Sequence, residues 1–299
     1  MNGVLVVDKP AGITSHDVVA VARRTLRERG IGHTGTLDPM ATGVLPLAVG
    51  KATRLVRFLT AADKDYDAVI RFGRATDTYD ATGTTASESP QRPTRTALEI
   101  GLLALSGSYD QMPPPYSAKK VGGRRAYEMA RHDQPVELKA APVTVSRVAL
   151  TAFDDDTASV SLTCTAGFYV RSFAHELGRR LGCGACLEAL RRTRSGTSTL
   201  SNAVTMDELT APGGSDALQA RFIQCDALLP DFPAVELTDQ GLAYVSHGRD
   251  LGPAQLAGPV RIASNAPWVR LMDGRGSLVA LASPDAASGM LHPSIVLLS

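Results

Sequence analysis

The stretch Gly32-His-Thr-Gly-Thr-Leu-Asp-Pro-Met-Ala-Thr-Gly-Val-Leu45 decides how this chain is read. Gly32, Gly35 and Gly43, with Pro39 between them, prevent regular structure throughout the segment, so it is a loop. Loops held by rigid elements often carry chemistry. The carboxylate in this one, Asp38, precedes Pro39, which fixes its own φ and pushes Asp38 toward an extended backbone. The side chain therefore projects from a constrained turn. An Asp-Pro turn is also common with no function at all, and only its surroundings separate the two readings.

Upstream, Gly3 to Pro10 reads as a short buried strand stopped by Pro10. Thr14-Ser-His-Asp17 then has the capping-box pattern, and Val18, Val19, Val21, Ala22 and Leu26 follow at helical spacing, predicting a helix that ends by Gly30. Downstream, Lys51 to Thr60 predicts a short helix. Asp65 to Phe72 alternates, with Tyr66, Ala68, Ile70 and Phe72 on one face, as a half-buried strand does. Helical periodicity returns over residues 94–105 around Leu98, Leu102 and Leu105. Strands are expected near 143–153 and 158–165, and Gly167-Phe-Tyr-Val-Arg171 leads into a helix ending at Gly182. Residues 111–142 form an irregular insertion containing Lys119, Lys120, Arg124, Arg125, Arg131 and Lys139. From about residue 231 short β-like runs at 260–263, 268–272, 277–282 and 294–298, with an Asp273-Gly274 hairpin signal, predict a small all-β unit.

The 299 residues agree with two domains at roughly 150 residues each, here 1–230 and 231–299. A hydrophobic fraction of 44%, a charged fraction of 20% and a mean hydropathy of -0.02 fit a globular protein. No apolar run reaches membrane-spanning length and no export signal is visible, so a cytoplasmic location is expected. The net charge of +1 is small, but it is unevenly divided. Residues 1–198 hold 26 basic and 20 acidic groups, and residues 199–299 hold 5 and 10, so a phosphate-rich partner would meet mainly the first part.

Familiar signatures fail on spacing. Between Gly43 and Gly50 there are six residues where a P-loop needs four, and Ala52 stands where a magnesium-binding hydroxyl would be. His175-Glu176 begins like a zincin helix, yet Arg179 occupies the second ligand position. Cys183 and Cys186 have CxxC spacing with no second ligand pair, so they are expected as buried thiols. No metal or cofactor is expected.

The loop from Gly32 to Leu45 closely resembles the active-site motif of the TruB family of tRNA pseudouridine synthases. Further matches follow in family order: Val7-Asp-Lys-Pro-Ala-Gly-Ile-Thr-Ser15, Lys64-Asp-Tyr66, Pro114-Pro-Tyr-Ser-Ala-Lys119, Gly122-Gly-Arg-Arg-Ala-Tyr127, Gly167-Phe-Tyr-Val-Arg171 and Leu190-Arg-Arg192. Together they cover roughly residues 3–200. The resemblance implies an α+β catalytic fold around a central mixed, mainly antiparallel sheet flanked by helices and loops, with a small C-terminal PUA-like domain. It implies isomerisation of uridine 55 in the T-loop of tRNA by a monomer, with the T-stem and loop as partner and no membrane.

Residue by residue, the resemblance makes Asp38 the catalytic aspartate, Arg171 its ion-pair partner and Tyr66 the ring that stacks on the target base. His33 would support flipped nucleotides, and Tyr169 and Leu190 would line the uridine pocket. Lys9, Lys119, Arg124 and Arg125 fall in segments that contact RNA in the family. The alternatives are an RNA-binding or tRNA-folding factor, or a synthase acting on a different RNA uridine; intact Asp38, Tyr66 and Arg171 favour the enzyme. The C-terminal part, at net -5, is a poor cationic platform for RNA.

Overall fold

Strand β1 (Gly3–Lys9) is buried along almost its whole length, and Thr14 caps α1 (Ser15–Leu26) by the expected box with Asp17. The computed structural model describes residues 1–116, 120–121, 124–125, 138–212, 214–258, 266–285 and 287–298. Lys119 and the strand expected at 260–263 lie outside the described residues.

The glycine-rich loop is shorter than its sequence suggests, because both ends are drawn into strands: β2 (Ile31–His33) and β3 (Thr42–Val49) pair antiparallel. Then come α2 (Val56–Ala61), β4 (Lys64–Phe72), the small ribbon β5 (Arg74–Thr76) with β6 (Thr85–Glu88), α3 (Arg95–Leu103) and β7 (Gly107–Gln111). In the insertion, β8 (Lys120–Val121) pairs with β9 (Arg124–Arg125). The hairpin β10 (Ala141–Phe153) and β11 (Thr157–Cys164) precedes α4 (Val170–Arg180). Next are β12 (Ala185–Ser195), β13 (Ser198–Thr199) and β14 (Ala203–Val204).

A ten-stranded sheet runs β14-β1-β3-β12-β4-β11-β10-β7, with β2 added to β3 and β13 to β12. It is mainly antiparallel; β1 with β14 and β3 with β12 are the parallel pairs. Its core is apolar residues from alternate strand positions, such as Leu5, Val7, Leu45, Ile70 and Val160, covered by Val18 and Ala22 of α1 and by Phe173 and Leu177 of α4. At the sheet's centre β12 lies between β3 and β4, so it delivers residues to the place where the Asp38 loop meets β4.

Beyond residue 231, β15 (Ala234–Glu236), β16 (Val269–Met272), β17 (Leu278–Pro284) and β18 (Leu291–Val296) form a separate four-stranded sheet. The all-β expectation is corrected here: Thr238 caps a helix, Asp239–Ser246, whose Val245 belongs to that sheet's core. The helix is short, and its Gly and Ser dilute the helical pattern. This unit is fixed to the large sheet by a shared apolar layer in which Leu278, Leu281 and Leu297 pack with Val4, Val6 and Val44.

Candidate active site

The turn that carries Asp38 is built from several directions. Pro39 occupies the second position of a β-turn closed by the Ala41 N–H donating to the Asp38 carbonyl at 3.0 Å. From β1, the fully buried Lys9 ammonium donates to the carbonyls of Pro10 and Ala41, each at 2.8 Å, and of Pro39 at 3.3 Å. At the start of α1, Ser15 Oγ accepts from the Leu37 N–H at 2.8 Å and donates to the Leu37 carbonyl at 3.0 Å. The loop is irregular and still immobilised, since its backbone polar groups find fixed partners.

Opposite the turn, the N-terminus of α4 presents Arg171. The backbone of Tyr169, just before the helix, is clamped by the Gln111 side chain, which accepts from its N–H at 2.8 Å and donates to its carbonyl at 3.1 Å. Arg171 then meets Asp38 through two contacts, Nε to Oδ2 at 2.9 Å and Nη2 to Oδ1 at 3.3 Å. Its other donors reach the carbonyls of Thr78 and Tyr116, both at 2.9 Å, and Asp80 Oδ2 is 3.6 Å away. The Arg171 side chain is 7% exposed and that of Asp38 35%. The guanidinium is therefore locked inside the protein, while the carboxylate it pairs with opens to a cavity. A planar fork held in this way fixes the direction of the carboxylate oxygens as well as supplying charge.

The cavity, of about 240 Å³, lies below the roughly 300–1,000 Å³ of sites for drug-sized ligands, so it suits one small ring system. Asp38, Tyr66, Tyr169, Arg171 and Leu190 all line it. Tyr66 projects from β4 and Leu190 from β12, neighbouring strands in which Leu190 pairs with Ala68 and Arg192 with Tyr66. Burial pushes the Tyr66 phenol up, against the opposing effect of the nearby Arg192 guanidinium.

Other expected residues fall elsewhere. His33 is half-buried in β2, opposite Leu47, and does not line this cavity. Lys9 is under the Asp38 turn with its ammonium engaged by three carbonyls, so in this structure it supports the loop from within. Arg124 and Arg125 make up β9.

Three polar groups at the site were absent from the expected set. Arg192, 1% exposed, donates to the carbonyls of Val44 at 2.7 Å, Gly35 at 3.0 Å and Thr36 at 3.5 Å, tying β12 to both arms of the loop. Lys64 lines the cavity, and burial lowers its ammonium to about 8, helped by Arg192. Asp80 is buried beside Arg171, with Oδ1 taken by Thr78 and Thr82. Arg192 and Lys64 stand inside stretches already singled out, each two residues from Leu190 or Tyr66; Asp80 lies in a polar turn with no signal beyond its composition.

Comparison with known proteins bears on the family and the fold. The model of the TruB family pseudouridylate synthase N-terminal domain matches residues 23–170, and that of the tRNA pseudouridylate synthase B C-terminal domain matches residues 171–222. The tRNA pseudouridine synthase B of Solibacter usitatus is 41% identical over 99% of this chain and 100% of its own length, and that of Thermobifida fusca 43% over 99% and 98%. Among solved structures, a Cbf5-Nop10-Gar1 complex is similar with a TM-score of 0.69 and 30% identity, over 94% of this chain and 78% of that one. A chain of the archaeal box H/ACA sRNP Nop10-Cbf5 complex shares the fold at a TM-score of 0.73 and 24% identity, over 99% of this chain and 86% of that one. With family models covering both the Asp38 loop and Arg171, and relatives alike from end to end, the chain belongs to the TruB family of pseudouridylate synthases.

Proposed function

We propose that this chain isomerises uridine 55 in the T-loop of tRNA to pseudouridine, with Asp38 as nucleophile on a base swung out of the loop. The observation that carries the reading is the two-contact pairing of the buried Arg171 with an Asp38 that faces a cavity walled by Tyr66. A pure RNA-binding protein has no need of a carboxylate held in that way. The curated relatives named as tRNA pseudouridine synthase B support tRNA as the substrate, and a tRNA substrate places the reaction in the cytoplasm.

In the reaction the C1′–N1 bond of the uridine breaks, the uracil turns, and a C1′–C5 bond forms. The C5 proton is lost and N1 gains one, so atoms and electrons balance with no oxidant or reductant. A carboxylate that adds to the nucleoside and later leaves is sufficient covalent chemistry. Arg171 aims the Asp38 oxygens through its two contacts, and Tyr66 offers a stacking face. Extrusion of a base costs a few kcal/mol, and stacking on an aromatic ring returns about 1–3 kcal/mol per base. Tyr169 and Leu190 close the pocket around the ring.

The test is incubation of the full chain with an unmodified T-arm transcript and mapping of pseudouridine. One product at position 55 is expected, and Asp38→Asn is expected to give none while binding the RNA within a few-fold of the parent. Turnover by Asp38→Asn would remove Asp38 from its role, and product at another uridine would reassign the substrate.

A further inference from the structure

Tyr79, in the turn between β5 and β6, has a φ of 65°. That left-handed backbone suits glycine; a bulky aromatic residue takes it up only where its surroundings hold it there. Here they hold it from two sides. On one, the Tyr79 N–H donates to the Thr76 carbonyl at 3.3 Å, and its own carbonyl accepts from the N–H of Leu187 in β12 at 2.9 Å. On the other, its ring lies flat on the ring of His175 in α4, with centroids 3.8 Å apart and planes 9° from parallel. Burial moves the His175 ring below its ordinary pKa, so it is neutral at pH 7 and the contact is one of ring on ring.

The stack sits around Arg171. His175 follows Arg171 by four residues, so the two side chains leave the same face of α4 one turn apart. Thr78 and Asp80, on either side of Tyr79, are the residues of the turn that meet Arg171: its Nη1 donates to the Thr78 carbonyl at 2.9 Å and lies 3.6 Å from Asp80 Oδ2. The Thr78 carbonyl can steer the guanidinium only if the turn itself keeps its place. Bonds from Thr78 and Thr82 to Asp80 Oδ1 tie the turn to itself, and the Leu187 bonds tie it to β12. The Tyr79 ring ties it to the helix on which Arg171 stands. Neither Tyr79 nor His175 lines the Asp38 cavity, so an effect of either on the reaction passes through Arg171.

We propose that Tyr79 and His175 are positioning residues for the isomerisation: their stack holds the turn in register with α4 and so fixes the Arg171 guanidinium that aims Asp38. This rests on the roles given to Asp38 and Arg171 above. The left-handed backbone at Tyr79 is the joint of the device, since it puts the ring over His175 while the residues on either side face Arg171. Glycine would sit there without strain, but it would bring no ring.

The test compares variants of the full chain on an unmodified T-arm transcript, with the single-turnover rate and the RNA Kd measured separately. Tyr79→Gly removes the ring and relaxes the backbone at once, so the fold should hold while the rate falls about tenfold and Kd stays within a few-fold. The loss stops short of the roughly hundredfold that an ångström of misplacement can cost, because the Thr78 and Tyr116 carbonyls still meet Arg171. His175→Ala should lose the same, and the double variant no more than either alone. Tyr79→Phe keeps the ring and should restore the rate. Added to Arg171→Lys, Tyr79→Gly should bring no further loss. The proposal is overturned by a parental rate in Tyr79→Gly and His175→Ala, whatever their melting temperatures, since the stack is then a structural contact alone. A loss carried in Kd, a Tyr79→Phe as slow as Tyr79→Gly, or a further loss on top of Arg171→Lys overturns it too. Failure of the underlying reading looks different, since Asp38→Asn would then turn over in the same assay.

Discussion

Gly43 touches Arg192 across the parallel pairing of β3 and β12 so closely that a β-carbon on Gly43 would stand 2.2 Å from the Arg192 carbonyl oxygen. Its φ of 100° is also one that a side chain strongly disfavours. This contact joins the end of the Asp38 loop to the strand that carries Arg192. Gly43→Ala should cost at least about 1–3 kcal/mol from backbone strain alone. That corresponds to a fall of between roughly 2 and 12 °C in a thermal melt, for a chain of this size.

Arg171→Lys should fold and bind RNA but lose turnover. A lysine cannot hold both Asp38 oxygens while also meeting the Thr78 and Tyr116 carbonyls, so the carboxylate loses its direction. Misplacement of a reacting group by an ångström can cost about a hundredfold in rate, and a fall of that order in kcat is expected under single-turnover conditions, with Kd within a few-fold.

Tyr66 separates stacking from acid–base work. Tyr66→Leu removes the aromatic face, and a loss of about 1–3 kcal/mol per stacked base predicts kcat/KM lower by about 5- to 160-fold. Tyr66→Phe keeps the face. If the hydroxyl also moves a proton after the base rejoins, the Phe variant should show normal RNA binding with a reduced kcat, and steady-state kinetics of the two variants side by side read this directly.

Burial lowers both Lys9 and Lys64 to about 8, from the ordinary 10.5. Between these two values the unfolded chain keeps protons that the folded chain has released, so stability rises with pH across that window. Chemical denaturation at pH 8, 9 and 10 should show the rise, and Lys9→Met should reduce it to the share of Lys64. The same substitution removes three bonds to the Asp38 turn, so activity should fall even at pH 7, where its effect on the pH slope is absent.

The capping box of Thr14, the alternation over β4 and the glycine loop were legible because each is a local pattern backed by local chemistry. Strand β12 was not. Ala185 to Ser195 is rich in Ala, Leu, Glu and Arg, residues that favour helices, and Leu190 reads at helical spacing. The sheet overrides that preference from both sides: Arg191 pairs with Asp8 at 2.7 Å, Arg194 with Asp65 at 2.7 Å, and Arg192 enters the loop. The same non-local placement hid Asp80 from the candidate site, since nothing within a few residues of it announces Arg171 as its neighbour, and Arg192, although inside a matched stretch, carries no local sign that its donors reach the Asp38 loop. Lys9 shows the converse: a lysine beside a matched motif invites an RNA contact, yet its neighbours in space are carbonyls of the loop it supports.

Removing residues 232–299 should destabilise the catalytic part and not merely strip an accessory unit. Trp268 and Phe232 pack edge-on against Phe58, with the Arg57 guanidinium over the Trp268 ring at 4.8 Å, and Leu278, Leu281 and Leu297 cover β1 and β3 residues. The truncated chain is expected to melt lower and to aggregate. Whether the C-terminal unit touches RNA is better measured by charge reversals on its surface, with Trp268, the single tryptophan, as a fluorescence reporter that the junction is intact.

The placement of β1 has a temporal side. Val6 and Val7 are bordered by Ala203 and Val204, and Val4 is bonded to Ile223. A ribosome adding roughly 5–20 residues per second needs about 10–40 s to make the intervening 200 or so. Throughout that interval β1 has an unfilled hydrogen-bonding edge, so the sheet closes only late in translation or after it. Such long-range closure makes for slow folding, and the open edge of β1 is where a chaperone would be expected to bind.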